Sequence, residues 1–195
     1  MTWFQRWRPL LRAMAIVALI SLIAGIAAWW RLSQHDAPPP APLTQGELPP
    51  GFQAIEPPLQ MGDLAFQDAD GKTVRISDFR GRPVILNIWA KWCAPCVVEL
   101  PQLNELQQKG GTLKVLAVAV DEPDPVKVRG FLINRNLTSL TPYLDPKNVF
   151  AKALRIRSIP VSVLINKDGY AMVRVDAPVA WFSAAAVALL QRTIL

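Results

Sequence analysis

Residues 84–101 read VILNIWAKWCAPCVVELP, and this stretch decides the fold. Residues 84–89 are almost continuously apolar, which predicts a strand buried on both faces. From Cys96 to about residue 109, Val97, Leu100, Leu103 and Leu106 supply an apolar helical stripe, and Gly110-Gly111 ends it. Between strand and helix stands Cys93-Ala94-Pro95-Cys96. A Cys-x-x-Cys at such a junction points to redox chemistry. Residues three apart on a helix share a face, which suits a disulfide or two thiols ready to close. At the helix start, Cys93 meets unpaired N–H groups and the positive end of the dipole, and both favour a thiolate. Cys96, one turn in, is expected to be less exposed. Cys93 is therefore assigned the attack on a substrate disulfide, and Cys96 the resolution of the mixed disulfide. Pro95 falls in the first turn, where a missing N–H is tolerated.

Rival uses of the pair are weak. A structural disulfide closing so short a loop constrains the unfolded chain little. A zinc site needs about four ligands, and the chain has two Cys and one His, so no metal is expected. Covalent haem attachment needs a His after the second Cys, and Val97 is there. No cofactor is expected.

Outward from this stretch the chain alternates strands and helices. Residues 64–66 and 73–76 flank Asp70-Gly71, a hairpin signal. Residues 113–120, LKVLAVAV, predict a second buried strand, and 124–134 a helix with Pro125 in its first turn. A short strand at 142–144 and a short helix at 146–154 follow. Strands at 161–165 and 170–175 are joined by Asp168-Gly169, and a closing helix covers 181–190. This order predicts an α/β fold with a mixed sheet covered on both faces.

The first 58 residues have a different composition. Residues 13–30, AMAIVALISLIAGIAAWW, carry no charge and nearly span a hydrocarbon core of about 30 Å at about 1.5 Å per residue. Trp3, Phe4 and Trp7 precede the run and Trp29-Trp30 closes it, in the manner of an aromatic belt. Arg6, Arg8 and Arg12 precede it and Arg31 follows, so the positive-inside bias puts residues 1–12 in the cytoplasm. A cleaved signal peptide is the rival, but the run is long for one and tryptophans stand where the cut should be. Residues 31–58 read as a Pro-rich linker; eight of the 18 prolines lie in 36–58, so this segment cannot build a core. His35, at its head, reads as a solvated interfacial residue. The expected organisation is thus a cytoplasmic N-terminus (1–12), a transmembrane anchor (13–30), a linker (31–58) and a globular domain (59–195). The net charge of +6 would suggest nucleic acid if it formed a patch. Half of it flanks the apolar run instead, so a membrane and no nucleic acid is expected.

The segment VILNIWAKWCAPCVVELP resembles the active-site stretch of the thioredoxin superfamily, and in detail that of the membrane-anchored TlpA/ResA/CcmG group of bacterial thiol–disulfide oxidoreductases. The likeness extends over about 59–195. It includes Gly71, Asp78-Phe79-x-Gly81, Trp89, Trp92, both Cys, Glu99, Pro101, Asp121, Ser158-Ile159-Pro160 and Asp168-Gly169. It implies a thioredoxin fold with an N-terminal hairpin and an inserted strand–helix unit at about 124–154. It implies a cis Pro160 beside the dithiol, with Trp92, Ile159 and Pro160 at the substrate surface and extended substrate pairing along Ile159. Pro101 matches a helix proline of the group with a structural effect. Asn87 stands where thioredoxin proper carries a buried Asp, and agrees with the TlpA/ResA/CcmG group. Asn cannot titrate, so Glu99, one turn beyond Cys96, is the candidate proton acceptor. The alternative for Glu99 is an acidic residue complementing the helix start. One departure stands out: this chain reads Val175-Asp176-Ala177-Pro178 where the group often has Gly.

The resemblance implies an enzyme that keeps periplasmic or extracytoplasmic dithiols reduced, at the inner membrane, for cytochrome c maturation or copper-site assembly. Its partners would be protein disulfides, apocytochrome c or copper-site proteins among them, and a transmembrane dithiol electron donor. Ala94-Pro95 adds no cation to stabilise the Cys93 thiolate, which favours a reductant. The alternatives are a thiol oxidant or isomerase, a thiol peroxidase, or a copper carrier using both thiolates. The peroxidase reading lacks a Thr or Ser three residues before Cys93, where Ala90 stands. The carrier reading lacks a wider Cys spacing and a distant His.

Overall fold

The computed structural model describes residues 4–33, 39–62, 64–109 and 111–193, with side chains of the first segment described over 14–29. The expectations for Trp3, His35 and Gly110 lie outside the described residues, as do the side chains of Phe4, Trp7 and Trp30. Two compact units are present, Met1–Pro38 and Pro39–Leu195.

The first unit contains one helix, α1 (Phe4–Ser33). Its described apolar side chains, among them Ile16, Leu19, Ile20, Ile23 and Trp29, are exposed. Among the described residues, no helix is long and apolar enough to cross a membrane.

The second unit is a thioredoxin-like α/β fold. Its strands are β1 (Phe52–Gln60), β2 (Ala65–Gln67), β3 (Thr73–Arg75), β4 (Val84–Trp89), β5 (Lys114–Ala119), β6 (Tyr143–Leu144), β7 (Val161–Ile165) and β8 (Tyr170–Val175). They form one sheet in the order β1-β8-β7-β4-β5-β6-β2-β3. β4, β5 and β6 run parallel, and the remaining neighbours are antiparallel. The helices are α2 (Ala94–Lys109), α3 (Pro125–Ile133), α4 (Val149–Ala153) and α5 (Ala184–Thr193). The predicted hairpin is β2–β3, with Gly71 at φ +75° in its turn, a conformation open to glycine at no steric cost. The inserted unit supplies α3, β6 and α4, and β6 bridges β5 to the hairpin.

β4 is buried at all six positions, and its alternate residues enter two separate cores. Ile85 and Trp89 pack with Leu100 and Leu103 of α2 and Leu189 of α5. Leu86 and Ile88 pack with Phe150 of α4 and with Phe66 and Ile76 from the hairpin side. This explains why a continuous apolar run, rather than an alternating one, marks the central strand.

The linker expectation needs correction. Residues 52–58 are not spacer: β1 pairs antiparallel with β8, Phe52 opposite Val175 and Gln60 opposite Tyr170. Pro57 and Pro58 lie where the register shifts between Ala54 and Leu59, on an edge strand, where a missing N–H is tolerated. Upstream, Gln45 donates to the Phe52 carbonyl and accepts from the Ala54 amide, and Leu43 and Leu48 pack on the core. The closing helix also begins later than expected, at Ala184. Ser183 accepts the Ala186 amide at its start, and Trp181 is used in the preceding loop.

Candidate active site

β4 ends at Trp89, and a four-residue connection delivers Cys93 to the start of α2. The Cys93–Cys96 disulfide is formed, with an S–S length of 2.05 Å. The Cys93 carbonyl accepts the Val97 amide at 3.0 Å, and its sulfur accepts the Cys96 amide at 3.3 Å. A free N–H of the first helical turn therefore points at Cys93 Sγ. On reduction that N–H and the helix dipole favour the thiolate. Cys93 is 4% exposed and Cys96 1%, so the expected difference in exposure is narrow with the disulfide closed. Trp92 beside them is 72% exposed, and Ala94 and Pro95 are exposed. Pro95 lies in the first turn of α2, and Pro101 lies inside the helix, where it deprives the Val97 carbonyl of its helical partner.

The Ile159–Pro160 peptide is cis. Pro160 is buried, Ile159 is half-buried, and the Ile159 carbonyl lies 3.8 Å from Cys93 Sγ. The disulfide sulfur carries no proton, so this is a contact; a reduced Cys93 has an S–H to donate to that oxygen.

Behind Cys96 lies a buried polar network. Glu99 does not face solvent at the helix start. It sits in the buried stripe of α2 with Cys96, Leu100 and Leu103, and is 2% exposed. Its Oε1 accepts from Trp181 Nε1 at 2.6 Å and from the Val179 amide at 3.2 Å, while Oε2 faces Asn87 Nδ2 at 3.5 Å. Burial pushes the Glu99 carboxyl up to about 7, against the opposing pull of the Trp181, Val179 and Asn87 donors. A carboxyl poised near neutrality can both take and return a proton. Asn87 Nδ2 also donates to Ser162 Oγ at 2.9 Å, and among the described residues its Oδ1 has no partner.

Three contributors were not found by the sequence reading: Ser162, Trp181 and the Val179 amide. Ser162 faces Asn87 because β7 pairs with β4 in the register Asn87↔Ser162, 75 residues apart. Trp181 reaches Glu99 from 82 residues away, and its amide donates to Gln102 Oε1. The Val175–Pro178 departure thus leads into a loop tied to α2 by three hydrogen bonds.

The chain matches the model of the AhpC/TSA family over residues 58–172. It is 32% identical over 127 residues to the thiol-disulfide oxidoreductase ResA of Bacillus cereus, covering 61% of this chain and 71% of that one. It is 36% identical over 110 residues to ResA of Geobacillus thermodenitrificans, covering 55% and 62%. It belongs to the ResA-type thiol–disulfide oxidoreductases of the AhpC/TSA family. Among solved structures, the exposed lipoprotein thioredoxin Etrx1 of Streptococcus pneumoniae matches at a TM-score of 0.56 and 27% identity, over 66% of this chain and 98% of that one. The ResA-type activity and the Cys93–Cys96 pair make this site a thiol–disulfide exchange centre.

Proposed function

We propose that this ResA-type chain is a membrane-tethered protein disulfide reductase working outside the cytoplasm. The observation that carries the exchange chemistry is the Cys93–Cys96 disulfide at the start of α2, with an amide aimed at Cys93 and the Ile159 carbonyl beside it. In the reduced enzyme the Cys93 thiolate attacks one sulfur of a client disulfide. An S–S bond forms to the client, the client's other sulfur leaves as a thiolate, and it takes up a proton. The Cys96 thiolate then attacks Cys93 Sγ and expels the client's second thiolate. Two electrons pass to the client and the enzyme closes its disulfide; a dithiol donor reopens it. Glu99 is the proton acceptor for Cys96; among the described residues no other carboxylate joins the network. Trp92, Ile159 and the cis Pro160 form the surface on which an extended client segment lies.

The tether rests on the sequence alone: the uncharged run 13–30 would be about 27 Å long as a helix at about 1.5 Å per residue, close to a hydrocarbon core of about 30 Å. The arginine bias places residues 1–12 in the cytoplasm, so the cytoplasmic membrane holds the protein and the disulfide faces the periplasm or exterior. The absence of a cation in Ala94-Pro95 supports reduction over oxidation. Clients of the apocytochrome c or copper-site class, and a transmembrane dithiol donor, complete the reading.

The test is a trap in native membranes. Full-length Cys96→Ala should accumulate mixed disulfides, and the trapped clients should carry haem-attachment or copper-binding cysteines. Trapping only proteins without such cysteines would remove that client class. An alkaline phosphatase fused after residue 60 that stayed inactive would reverse the orientation, because that reporter is active only outside the cytoplasm.

A further inference from the structure

Two loops of opposite charge flank the disulfide. After β5 come Asp121, Glu122 and Asp124. This loop is attached to the active-site connection, since the Lys91 amide donates to Asp121 Oδ2 at 3.0 Å. Its charges are largely used within the fold. Glu122 pairs with Lys91 at 2.7 Å and with Lys127 at 3.7 Å, and Asp124 caps α3 by accepting the Val126 amide.

The other side differs. Residues 146–160 lead into the cis-proline contact with Cys93 and contain Lys147, Lys152, Arg155 and Arg157 but no acidic residue. All four cations are exposed. Among the described residues none of them pairs with a carboxylate, and the Lys152 ammonium only donates to the Lys147 carbonyl. Asp176, just past the end of β8, is taken by Arg174, which also donates to the Leu154 carbonyl. Arg157 stands two residues from Ile159, at most about 7 Å along the chain, and a Debye length in physiological salt is about 8 Å. A client segment lying on Ile159 therefore passes within about one Debye length of the Arg157 backbone, close enough to feel exposed positive charge. The surface itself is apolar, with Trp92 72% exposed and Ile159 half-buried beside the disulfide. An apolar centre with a one-signed rim selects partners by charge and speeds their encounter.

From this imbalance we propose that Arg155 and Arg157 recognise clients carrying carboxylates beside the reducible disulfide. The proposal rests on the reductase reading above and names the client chemistry that site prefers. The acidic loop gives the opposite rim no comparable free charge, so the selection comes from one side and also fixes which way the client strand runs.

The test uses the full-length reduced protein in a neutral detergent and two peptide disulfides that differ only in two Glu against two Gln beside one cysteine. Wild type should reduce the Glu peptide about fivefold faster in low salt, a steering effect of modest size. The preference should vanish in 0.5 M salt and in Arg155→Asn/Arg157→Gln, and reverse in Arg157→Glu. Asn suits position 155, where φ is +51°. The Gln peptide should react equally with wild type and the Asn/Gln double variant, which shows the site is intact. Equal rates for the two peptides in wild type, or a preference that survives the double substitution, overturn the proposal. If the wild type instead binds phosphatidylglycerol vesicles through these arginines with no peptide preference, the patch is a membrane contact and the proposal also fails. Failure to reduce either peptide would strike the reductase reading itself.

Discussion

The two faces of β4 share one backbone and differ in content. On one face Leu86 and Ile88 meet Phe66, Phe150 and Ile76, with no polar side chain of the strand among them. On the other, Asn87 stands between Ile85 and Trp89 and joins Ser162, Glu99 and Trp181 beneath the disulfide. Buried polar groups are expensive unless paired, and this set is mostly but not fully paired: among the described residues Asn87 Oδ1 and Trp89 Nε1 have no partner. Stability alone would favour apolar residues at 87 and 99. Their presence together beneath the disulfide, on the α2 face, marks that face as the one arranged for proton and electron traffic.

The largest effects separate the faces outright. Cys93→Ser should bring disulfide reduction to background with an unchanged melting temperature relative to the reduced wild type. Phe150→Ala should do the reverse. Phe150 is fully buried against Phe66 at a ring distance of 5.3 Å, so its loss should cost about 3–5 kcal/mol, read by denaturant unfolding. The thiol chemistry of the surviving folded protein should be unaltered. A Phe150→Ala protein with shifted thiol reactivity would show that the two faces are not independent.

Glu99→Gln is the intermediate case and should move stability and rate in opposite directions. The folded carboxyl is raised from 4.5 to about 7, so the folded state binds more protons than the unfolded state between those values. Wild-type stability therefore falls as pH rises from about 4.5 to 7, by roughly 3 kcal/mol at most. Gln has no such slope, so the variant should gain on wild type over that window. Resolution of the mixed disulfide by Cys96 should slow by about tenfold or more, as loss of a general base does. A variant with the wild-type stability slope and rate would remove Glu99 from the mechanism.

The same contrast explains what the sequence could disclose. β4, β7 and β8 were legible to the residue because each is a mostly apolar run with one polar residue, and the Asp168-Gly169 turn separates the last two. The Cys-x-x-Cys pair was legible because its geometry is local. β1 was not, because Phe52–Gln60 is a strand only by pairing with β8, and its prolines argue locally for a spacer. Glu99 could be located but its burial could not, since one acidic residue on a helix reads as solvated until Trp181 and Val179 arrive from the far end of the chain. Ser162 gave no signal of its own; only the β4–β7 register sets it against Asn87.

The smallest effect tests how the network is tuned. Trp181 is fully buried, and its indole N–H donates to Glu99 Oε1 at 2.6 Å. A donor to a carboxylate stabilises the charged form, so Trp181 opposes the upward push of burial. Trp181→Phe removes that donor and keeps most of the packing. With the Val179 amide still in place, Glu99 should titrate about one unit higher, the scale of one charge-assisted hydrogen bond. The pH at which Cys96 resolution reaches half its maximum should rise by the same amount, while the limiting rate at high pH is nearly preserved. A role for Trp181 in packing alone would instead lower stability and leave the profile where it was. In Trp181→Phe/Glu99→Gln the profile shift should disappear, because the group through which Trp181 acts is gone. If the shift persisted in that double variant, Trp181 would be acting on Cys96 by another route, and the polar network beneath the disulfide would not be a single proton-handling unit.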